Sequence, residues 1–278
     1  SAASDVYKRQ VYNPVCHWIW SSGGWIGSLG VMDFAGGLVV HATCGMAALA
    51  GVLVIGPRKG FGRTNFMPHN LPMTVIGTAL LWFGWFGFNG GSALAADEVA
   101  ATAFVATHLA GMAGMAMWVS LEWRMQGNPT TLGAASGAIA GLATITPTAG
   151  FVGPNTAILV GLLGGAFCYT FVSMKMRFNL DDSLDVVGIH GVGGLLGTIC
   201  LGLFASTAVN PGGVDGLFYG NPGQLVAQII GAVVVSVYAF GMSWLIFKGI
   251  NATIGLRLSE ESEVAGMDST EHSETAYN

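Results

Sequence analysis

Two aspartate–histidine pairs with the same spacing interrupt an otherwise apolar sequence. Asp33 precedes His41 by eight residues in DFAGGLVVH, and Asp182 precedes His190 by eight residues in DSLDVVGIH. Each pair opens a run of small and apolar residues that is long enough for a membrane-crossing helix. Because ionisable groups inside a membrane are costly, they usually face a pathway or a partner. We therefore predict that both histidines line a pore.

Metal binding is the competing chemistry for paired histidines. No further Cys, His or Glu stands at ligand spacing near either of them. We expect no metal site and no cofactor. Asp33 and Asp182 stand near the starts of their helices, where a carboxylate can accept hydrogen bonds from free backbone amides and favour the helix dipole. This structural role and a direct contact with a substrate remain equally open for both aspartates.

A second candidate site lies in LWFGWFGFNGGS. Trp85, Phe88 and Ser92 are spaced i, i+3 and i+7, which places them on one face of a helix. Trp20 lies on the same side of the predicted membrane and could join them. Aromatic faces with a hydroxyl acceptor suit a small cation, since the ring attracts charge and the oxygen accepts an N–H bond. An aromatic belt at the membrane interface is the alternative.

The helices that must position these residues are predicted to be transmembrane. Hydrophobic residues make up 52% of the 278 and charged residues 9%, against about 25% charged in a soluble domain. Cys16, Cys44, Cys168 and Cys200 lie in or beside apolar runs without CxxC spacing, which favours buried thiols over disulfides. Seven segments reach membrane-crossing length: 33–56, 70–92, 99–122, 131–149, 155–175, 184–206 and 223–249.

The basic residues predict the orientation of these segments. The connectors AADEVA, TPTAGFVGPN and 207–222 contain no Lys or Arg, whereas eight basic residues share the other side. The eight are Arg58, Lys59, Arg63, Arg124, Lys175, Arg177, Lys248 and Arg257. By the positive-inside rule, segment 33–56 starts outside the cell and the C-terminus is cytoplasmic. Segments 33–56 and 184–206 then run in opposite directions, as in the inverted repeats of transporters with a mid-membrane site.

The two ends of the chain differ from the apolar part. Residues 1–10, SAASDVYKRQ, carry two basic residues on the predicted outer side and lack the apolar core of a signal peptide. We interpret them as a foreign leader. Residues 11–256 form the predicted transmembrane domain, and 257–278 an acidic cytoplasmic tail that is either a solvated segment or a docking element.

Several motifs in order resemble the Amt branch of the Amt/Rh/Mep ammonium transporter superfamily. They are PVCHWIW, DFAGGLVVH, IGPRKGFGR, PHNLPM, GWFGFNGGS, LGAASGAIAGLATITP, DVVGIHGVGG and IGLRLSEESEVAGMDSTEHSETAYN. The resemblance implies an all-α polytopic membrane protein with an 11-helix inverted-repeat bundle, assembled as a homotrimer with one pore per subunit. On that pattern the chain holds helices 5 to 11 and starts near the outer end of helix 4, while another gate phenylalanine belongs to helix 3.

The resemblance also implies roles for the candidate residues. His41 and His190 match the twin pore histidines, Asp33 the aspartate near the external site, and Asp182 its pseudo-symmetric counterpart. Trp20 and Ser92 match members of the external ammonium-recruiting site. Phe88 matches a gate and Trp85 a pore-lining tryptophan.

A transporter of ammonium, ammonia and methylammonium is the function that the family implies. It is expected in the cell membrane, with a PII-type regulatory protein as a possible partner at the cytoplasmic face. We expect neither enzymatic activity nor a nucleic-acid partner, since no nucleophile–base pair or metal cluster stands out. The alternatives are an ammonium sensor of the same fold and a channel for another small neutral solute.

Overall fold

Proline, glycine and capping residues divide the chain into helices. The computed structural model describes residues 7–64 and 66–275, and every regular element in these ranges is helical. The α-helices are α1 (Asn13–Trp20), α2 (Trp25–Ser28), α3 (Thr43–Ile55), α4 (Leu71–Gly91), α5 (Glu98–Gln126), α6 (Thr131–Ile145), α7 (Pro154–Met174), α8 (Val192–Phe204), α9 (Pro222–Thr253) and α10 (Glu260–Ala265). Four π-helical turns cover Lys8–Tyr12, Gly37–Ala42, Val187–Gly191 and Asp268–His272, and two 3₁₀ turns cover Lys175–Phe178 and Leu217–Tyr219.

Side-chain caps start three of the long helices. Asn70 accepts a hydrogen bond from the amide of Met73 at the start of α4, Asp97 from Ala100 at the start of α5, and Thr130 from Gly133 at the start of α6. Each cap satisfies an amide that has no partner within its helix. The boundaries of these helices therefore follow from local sequence.

Six helical segments among the described residues are long and apolar enough to cross a membrane. They are Gly37–Ile55, Leu71–Gly91, Glu98–Gln126, Pro154–Phe178, Val187–Phe204 and Pro222–Thr253. The predicted segment 131–149 is shorter than expected, because α6 has 15 residues and ends at Ile145. Pro147 has no amide proton to continue the helix. The chain turns at Thr146–Pro147 instead, and this turn becomes part of the candidate site.

Small residues let the helices approach closely. A Cβ on Gly141 of α6 would lie 2.1 Å from the carbonyl oxygen of Ala110 in α5. A Cβ on Gly45 of α3 would lie 2.2 Å from the Cα of Gly191. Neither position has space for a side chain, as expected for membrane helices that pack through small residues. The Gly45–Gly191 contact brings the helix of His41 against the helix of His190.

Described residues near both ends of the chain contact other parts of the structure. Residues 1–6 of the predicted foreign leader lie outside the described residues, so that interpretation stays a prediction. The backbone carbonyl of Gln10 accepts a hydrogen bond from the Tyr238 hydroxyl (2.7 Å). In the C-terminal tail, Glu263 forms an ion pair with Arg257 and accepts a hydrogen bond from the amide of Lys59. The tail is therefore docked on the α3–α4 loop.

Candidate functional site

The two predicted histidines meet. The Nδ1 atoms of His41 and His190 are 3.1 Å apart and share a hydrogen bond across 149 positions of sequence. Their rings are nearly parallel, with centroids 5.2 Å apart. His41 is buried and His190 is partly exposed. Two separate helices thus place a pair of imidazoles at one point in the bundle.

Both histidines lie in π-helical turns. His41 belongs to Gly37–Ala42, which leads into α3, and His190 belongs to Val187–Gly191, which leads into α8. A π turn adds a residue to the helical turn and is frequent at functional sites. The equal Asp–His spacing in the sequence therefore corresponds to an equal local geometry, which sequence patterns did not predict.

Aromatic rings of α4 line the histidine pair. The Trp85 ring stacks on His41 (centroids 5.4 Å apart, interplanar angle 22°) and runs nearly parallel to His190 at 6.5 Å. The Phe88 ring lies 6.3 Å from His41 and edge-on to Trp85. Trp85 is buried, whereas Phe88 remains 40% exposed. The predicted aromatic face of this helix therefore contacts both histidines.

Thr146 joins this group, although no sequence motif singled it out. Its hydroxyl oxygen accepts a hydrogen bond from Trp85 Nε1 (2.9 Å) and lies 3.3 Å from His41 Nε2. The same hydroxyl donates to the carbonyl oxygen of Leu142 (2.8 Å). The side chain is fully buried in the turn that ends α6. A threonine directly before a proline in an apolar segment is the signal that the sequence offers for it.

Asp33 caps the π-helical turn of His41. Its Oδ1 accepts hydrogen bonds from the amides of Gly36 and Gly37, and its Oδ2 from those of Leu38 and Val39, all at 2.7–3.0 Å. An ionised carboxylate has about four lone-pair sites. All of them are thus occupied by backbone amides, and the structural role left open by the sequence is the one observed.

The loop that presents Asp33 is held from both sides. Trp20 Nε1 donates to the backbone carbonyl of Asp33 (2.6 Å). On the other side, Gln228 of α9 pairs with the backbone of Met32, since its Oε1 accepts from the Met32 amide and its Nε2 donates to the Met32 carbonyl, both at 2.8 Å. Gln228 is fully buried. A glutamine inside a long apolar helix was the available signal for this contact, which sequence analysis missed.

Asp182 caps its helix less completely. Its Oδ2 accepts one hydrogen bond, from the amide of Val187 (2.7 Å), while its backbone carbonyl accepts from Lys175 Nζ (3.0 Å). Lys175 also forms an ion pair with Asp185. Ionic contacts therefore replace part of the backbone capping in the second Asp–His unit.

The neighbouring Asp181 forms a bidentate ion pair with Arg58 of the α3–α4 loop, at 2.6 and 2.9 Å. Burial by itself raises the pKa of the Asp181 carboxyl, but hydrogen bonds from the Arg58 side chain and amide outweigh it and lower that pKa below its ordinary value. Asp181 is therefore ionised at neutral pH. The α3–α4 loop is thereby linked to the start of the His190 helix.

The predicted external pair, Trp20 and Ser92, is not assembled by direct contact. Ser92 donates its hydroxyl proton to the backbone carbonyl of Phe88 (2.8 Å), and Trp20 is 41% exposed. Within residues 7–64 and 66–275, no hydrogen bond or ring contact joins the two. His108 of α5 contacts the rings of Trp82 and Phe86 at 5.6 and 5.7 Å.

A cavity of about 1080 Å³ opens beside His190. It is bordered by Ser136 and Ile139 of α6, by Lys175 and Asp185, and by the loop that contains Arg58. His190 thus has one ring edge toward His41 and access to this cavity, whereas His41 is enclosed. The two imidazoles, which lie between the Phe88 ring and the cavity, can exchange protons and can donate or accept hydrogen bonds.

Comparisons with known proteins place this geometry in context. Residues 4–277 match the model of the Ammonium Transporter Family. The chain is 51% identical to the ammonium transporter of Bacillus subtilis, over 99% of this chain and 67% of that protein. It is 48% identical to the ammonium transporter Amt1 of Archaeoglobus fulgidus, over 99% of this chain and 69% of that protein.

The solved structures that this fold resembles have related names. The crystal structure of Saccharomyces cerevisiae Mep2 superposes with a TM-score of 0.89 at 35% identity, covering 94% of this chain and 60% of that one. A sensor Amt protein superposes with a TM-score of 0.83 at 29% identity, covering 92% of this chain and 65% of that one. The chain thus spans about two thirds of the curated relatives' length and about three fifths of the Mep2 structure.

Proposed function

This chain belongs to the ammonium transporter family, and from that premise we propose that it conducts ammonium nitrogen across a membrane through the His41–His190 site. The observation that carries the proposal is the hydrogen-bonded histidine pair lined by Trp85 and Phe88. Two imidazoles in contact inside the bundle of a multi-pass membrane protein support a path for a small hydrogen-bonding solute, because ionisable groups inside a membrane usually face a pathway.

Recruitment is the first step. The exposed face of Trp20 attracts a cation through its ring quadrupole, and the Ser92 oxygen accepts an N–H bond. The carboxylate of Asp33 contributes negative charge near the Trp20 side of the pore. It does not contact the ion, since its oxygens accept hydrogen bonds from amides. Potassium has a similar size but cannot donate a hydrogen bond, so the hydroxyl favours ammonium.

Deprotonation is the second step. Moving an intact ammonium ion into an apolar path would cost many kcal/mol by desolvation, and a group in such surroundings neutralises instead. Ammonia then passes Phe88 and exchanges hydrogen bonds with His41 and His190. The histidines offer a separate path for the proton. A potassium ion, which cannot lose a proton, is excluded by the same desolvation cost.

The oligomeric assembly and the orientation in the membrane are proposed by likeness to the family. We propose a homotrimer with residues 11–256 as its transmembrane domain, segment 33–56 starting outside, and the tail 257–278 in the cytoplasm. The docked tail and the α3–α4 loop, joined by the Lys59–Glu260 ion pair, form the surface on which a PII-type regulatory protein would bind.

Uptake measurements test the proposal. In a full-length version, His41→Asp and His190→Glu should lower uptake of labelled methylammonium by at least tenfold or admit a potassium current that the parent lacks. Phe83→Leu, at an exposed position of α4, is the matched control and should leave both unchanged. Normal uptake with normal potassium exclusion in both histidine variants would refute the proposed twin-histidine role.

An ammonium sensor of the same fold is the second candidate. It is favoured by the likeness to a sensor Amt protein and by the docked tail. In that case methylammonium would change the protection of residues 257–265 from hydrogen exchange, while vesicles containing the full-length protein would take up none. Uptake of methylammonium by these vesicles would favour a transporter over a sensor.

A further inference from the structure

The hydroxyl of Thr146 bonds to three groups, and its single proton limits how it can do so. A threonine hydroxyl donates one hydrogen bond and accepts two, an indole N–H only donates, and a carbonyl only accepts. Trp85 Nε1 must therefore donate to Thr146, and the Leu142 carbonyl oxygen can only accept. The third contact, His41 Nε2 at 3.3 Å, is the one whose direction is free.

The distances decide that direction. The hydroxyl proton has two possible acceptors, the Leu142 carbonyl at 2.8 Å and His41 Nε2 at 3.3 Å. Hydroxyl donors prefer acceptors near 2.7–2.8 Å, so the proton belongs to the contact with Leu142. His41 Nε2 must then donate to the remaining lone pair of Thr146. In a neutral imidazole with Nε2 protonated, Nδ1 is an acceptor.

The tautomer of His41 also fixes the tautomer of His190. Because His41 Nδ1 accepts, the proton of the 3.1 Å contact must be carried by Nδ1 of His190. His190 Nε2 is then unprotonated, and among the described residues no protein group bonds to it. His190 is also the partner that borders the cavity.

We infer that Thr146 is a positioning residue that sets the direction of the histidine pair. It holds His41 as the Nε2–H tautomer and leaves a free basic nitrogen, His190 Nε2, on the cavity side. This deepens the proposed function, since it names the one nitrogen of the pair that is free to accept a hydrogen bond or a proton. The hydrogen-bond chain runs from His190 through His41 and Thr146 to Leu142.

Nitrogen NMR tests the assignment directly. The chain would be labelled with ¹⁵N-histidine, placed in lipid nanodiscs near neutral pH, and assigned through the neighbouring residues Ala42 and Gly191. We expect a pyrrole-type Nε2 and a pyridine-type Nδ1 for His41, and the reverse for His190. A pyrrole-type Nδ1 on His41 in the unaltered chain overturns the inference.

Variants of two buried threonines test the cause. Thr146→Val removes the hydroxyl and should convert His41 to a mixture of tautomers, whereas Thr146→Ser should keep the parent pattern. Thr148→Val is the matched control, because Thr148 is equally buried in the same turn and its hydroxyl contacts a carbonyl instead of a ring. Unchanged nitrogens in a folded Thr146→Val, or altered ones in Thr146→Ser, would also overturn the inference.

The result is independent of transport. If the histidines proved unnecessary for methylammonium uptake, the proposed function would fail while the tautomers could still be those assigned here. Conversely, normal transport with a pyrrole-type Nδ1 on His41 would leave the function intact and remove the role of Thr146.

Discussion

The two Asp–His units share their spacing and their π-helical turns but differ in how they are stabilised. Asp33 accepts hydrogen bonds from four backbone amides and has no ionic partner within the part of the chain that the structure describes, whereas Asp182 accepts one amide and lies beside two ion pairs, Lys175–Asp185 and Arg58–Asp181. The two units therefore place their histidines in the same way, but different contacts stabilise the start of each helix. One unit is fixed by buried hydrogen bonds between a carboxylate and backbone amides, and the other by ion pairs that are partly exposed to solvent.

Removing each aspartate should give the largest contrast. Asp33→Ala leaves four buried amides without partners, and each such group costs about 1–3 kcal/mol when it cannot rehydrate. We expect Asp33→Ala to lower the free energy of unfolding by about 3 kcal/mol or more, and Asp182→Ala by about 1 kcal/mol. SDS-induced or thermal unfolding in lipid measures both. Equal losses would mean that the four amides find water or new partners.

Substitution of Gln228 tests how much α9 stabilises the loop that contains Asp33. Gln228→Leu removes both hydrogen bonds to the Met32 backbone, and we expect a loss of about 2 kcal/mol in unfolding free energy. Ser243→Ala on the same helix is the control. Ser243 is also buried, yet its hydroxyl has no partner among the described residues, so its loss should be neutral or slightly stabilising. Comparable losses in both variants would attribute the effect to general packing of α9.

The Arg58–Asp181 ion pair of the second unit should contribute less to the free energy of unfolding than the contacts of Asp33 and Gln228. The Arg58 side chain is 43% exposed and that of Asp181 2% exposed, which places the pair between a surface pair and a buried one. A double-mutant cycle of Arg58→Gln and Asp181→Asn should give a coupling energy of about 1 kcal/mol. The coupling should shrink at high salt. A coupling above about 3 kcal/mol would indicate a buried pair and weaken the contrast between the units.

Acid should weaken the Arg58–Asp181 ion pair of the second unit and the docking of the tail through Glu263, because both depend on ionised carboxylates. Hydrogen bonds from Arg58 lower the pKa of Asp181, and the Lys59 amide with Arg257 lowers the pKa of Glu263. A lowered folded-state pKa means that the stabilisation is present above the ordinary carboxyl pKa of about 4 and disappears as pH falls through the lowered value. The docking of the tail should therefore persist at pH 5 and be lost below about pH 4.

Carboxyl ¹³C titration of Asp181 and Glu263 checks this directly. In Arg58→Gln the Asp181 midpoint should move upward by more than the Glu263 midpoint, because the main partners of Glu263 are Lys59 and Arg257. A tail that detaches at pH 6 would show that other groups control its docking.

Much of the fold was predictable because it depends on local patterns. Apolar segments, breakers and caps indicated the long helices, and six of them have membrane-crossing length as predicted. Segment 131–149 was predicted too long, since its composition stays apolar beyond Ile145 while Pro147 ends the helical hydrogen bonding. Polar residues that act across helices, such as Thr146 and Gln228, were missed because their partners are distant in sequence.

By itself, the sequence determined the class of protein, the family and the identity of the two histidines. These follow from composition, motif order and equal spacing, which are properties of neighbouring residues. The tertiary structure alone decided that the histidines touch, that Trp85 stacks on His41 and donates to Thr146, and that the carboxylate of Asp33 accepts only backbone amides. The physical reason is that hydrogen-bond partners are set by helix packing, and packing at Gly45 and Gly191 joins segments that no local pattern relates.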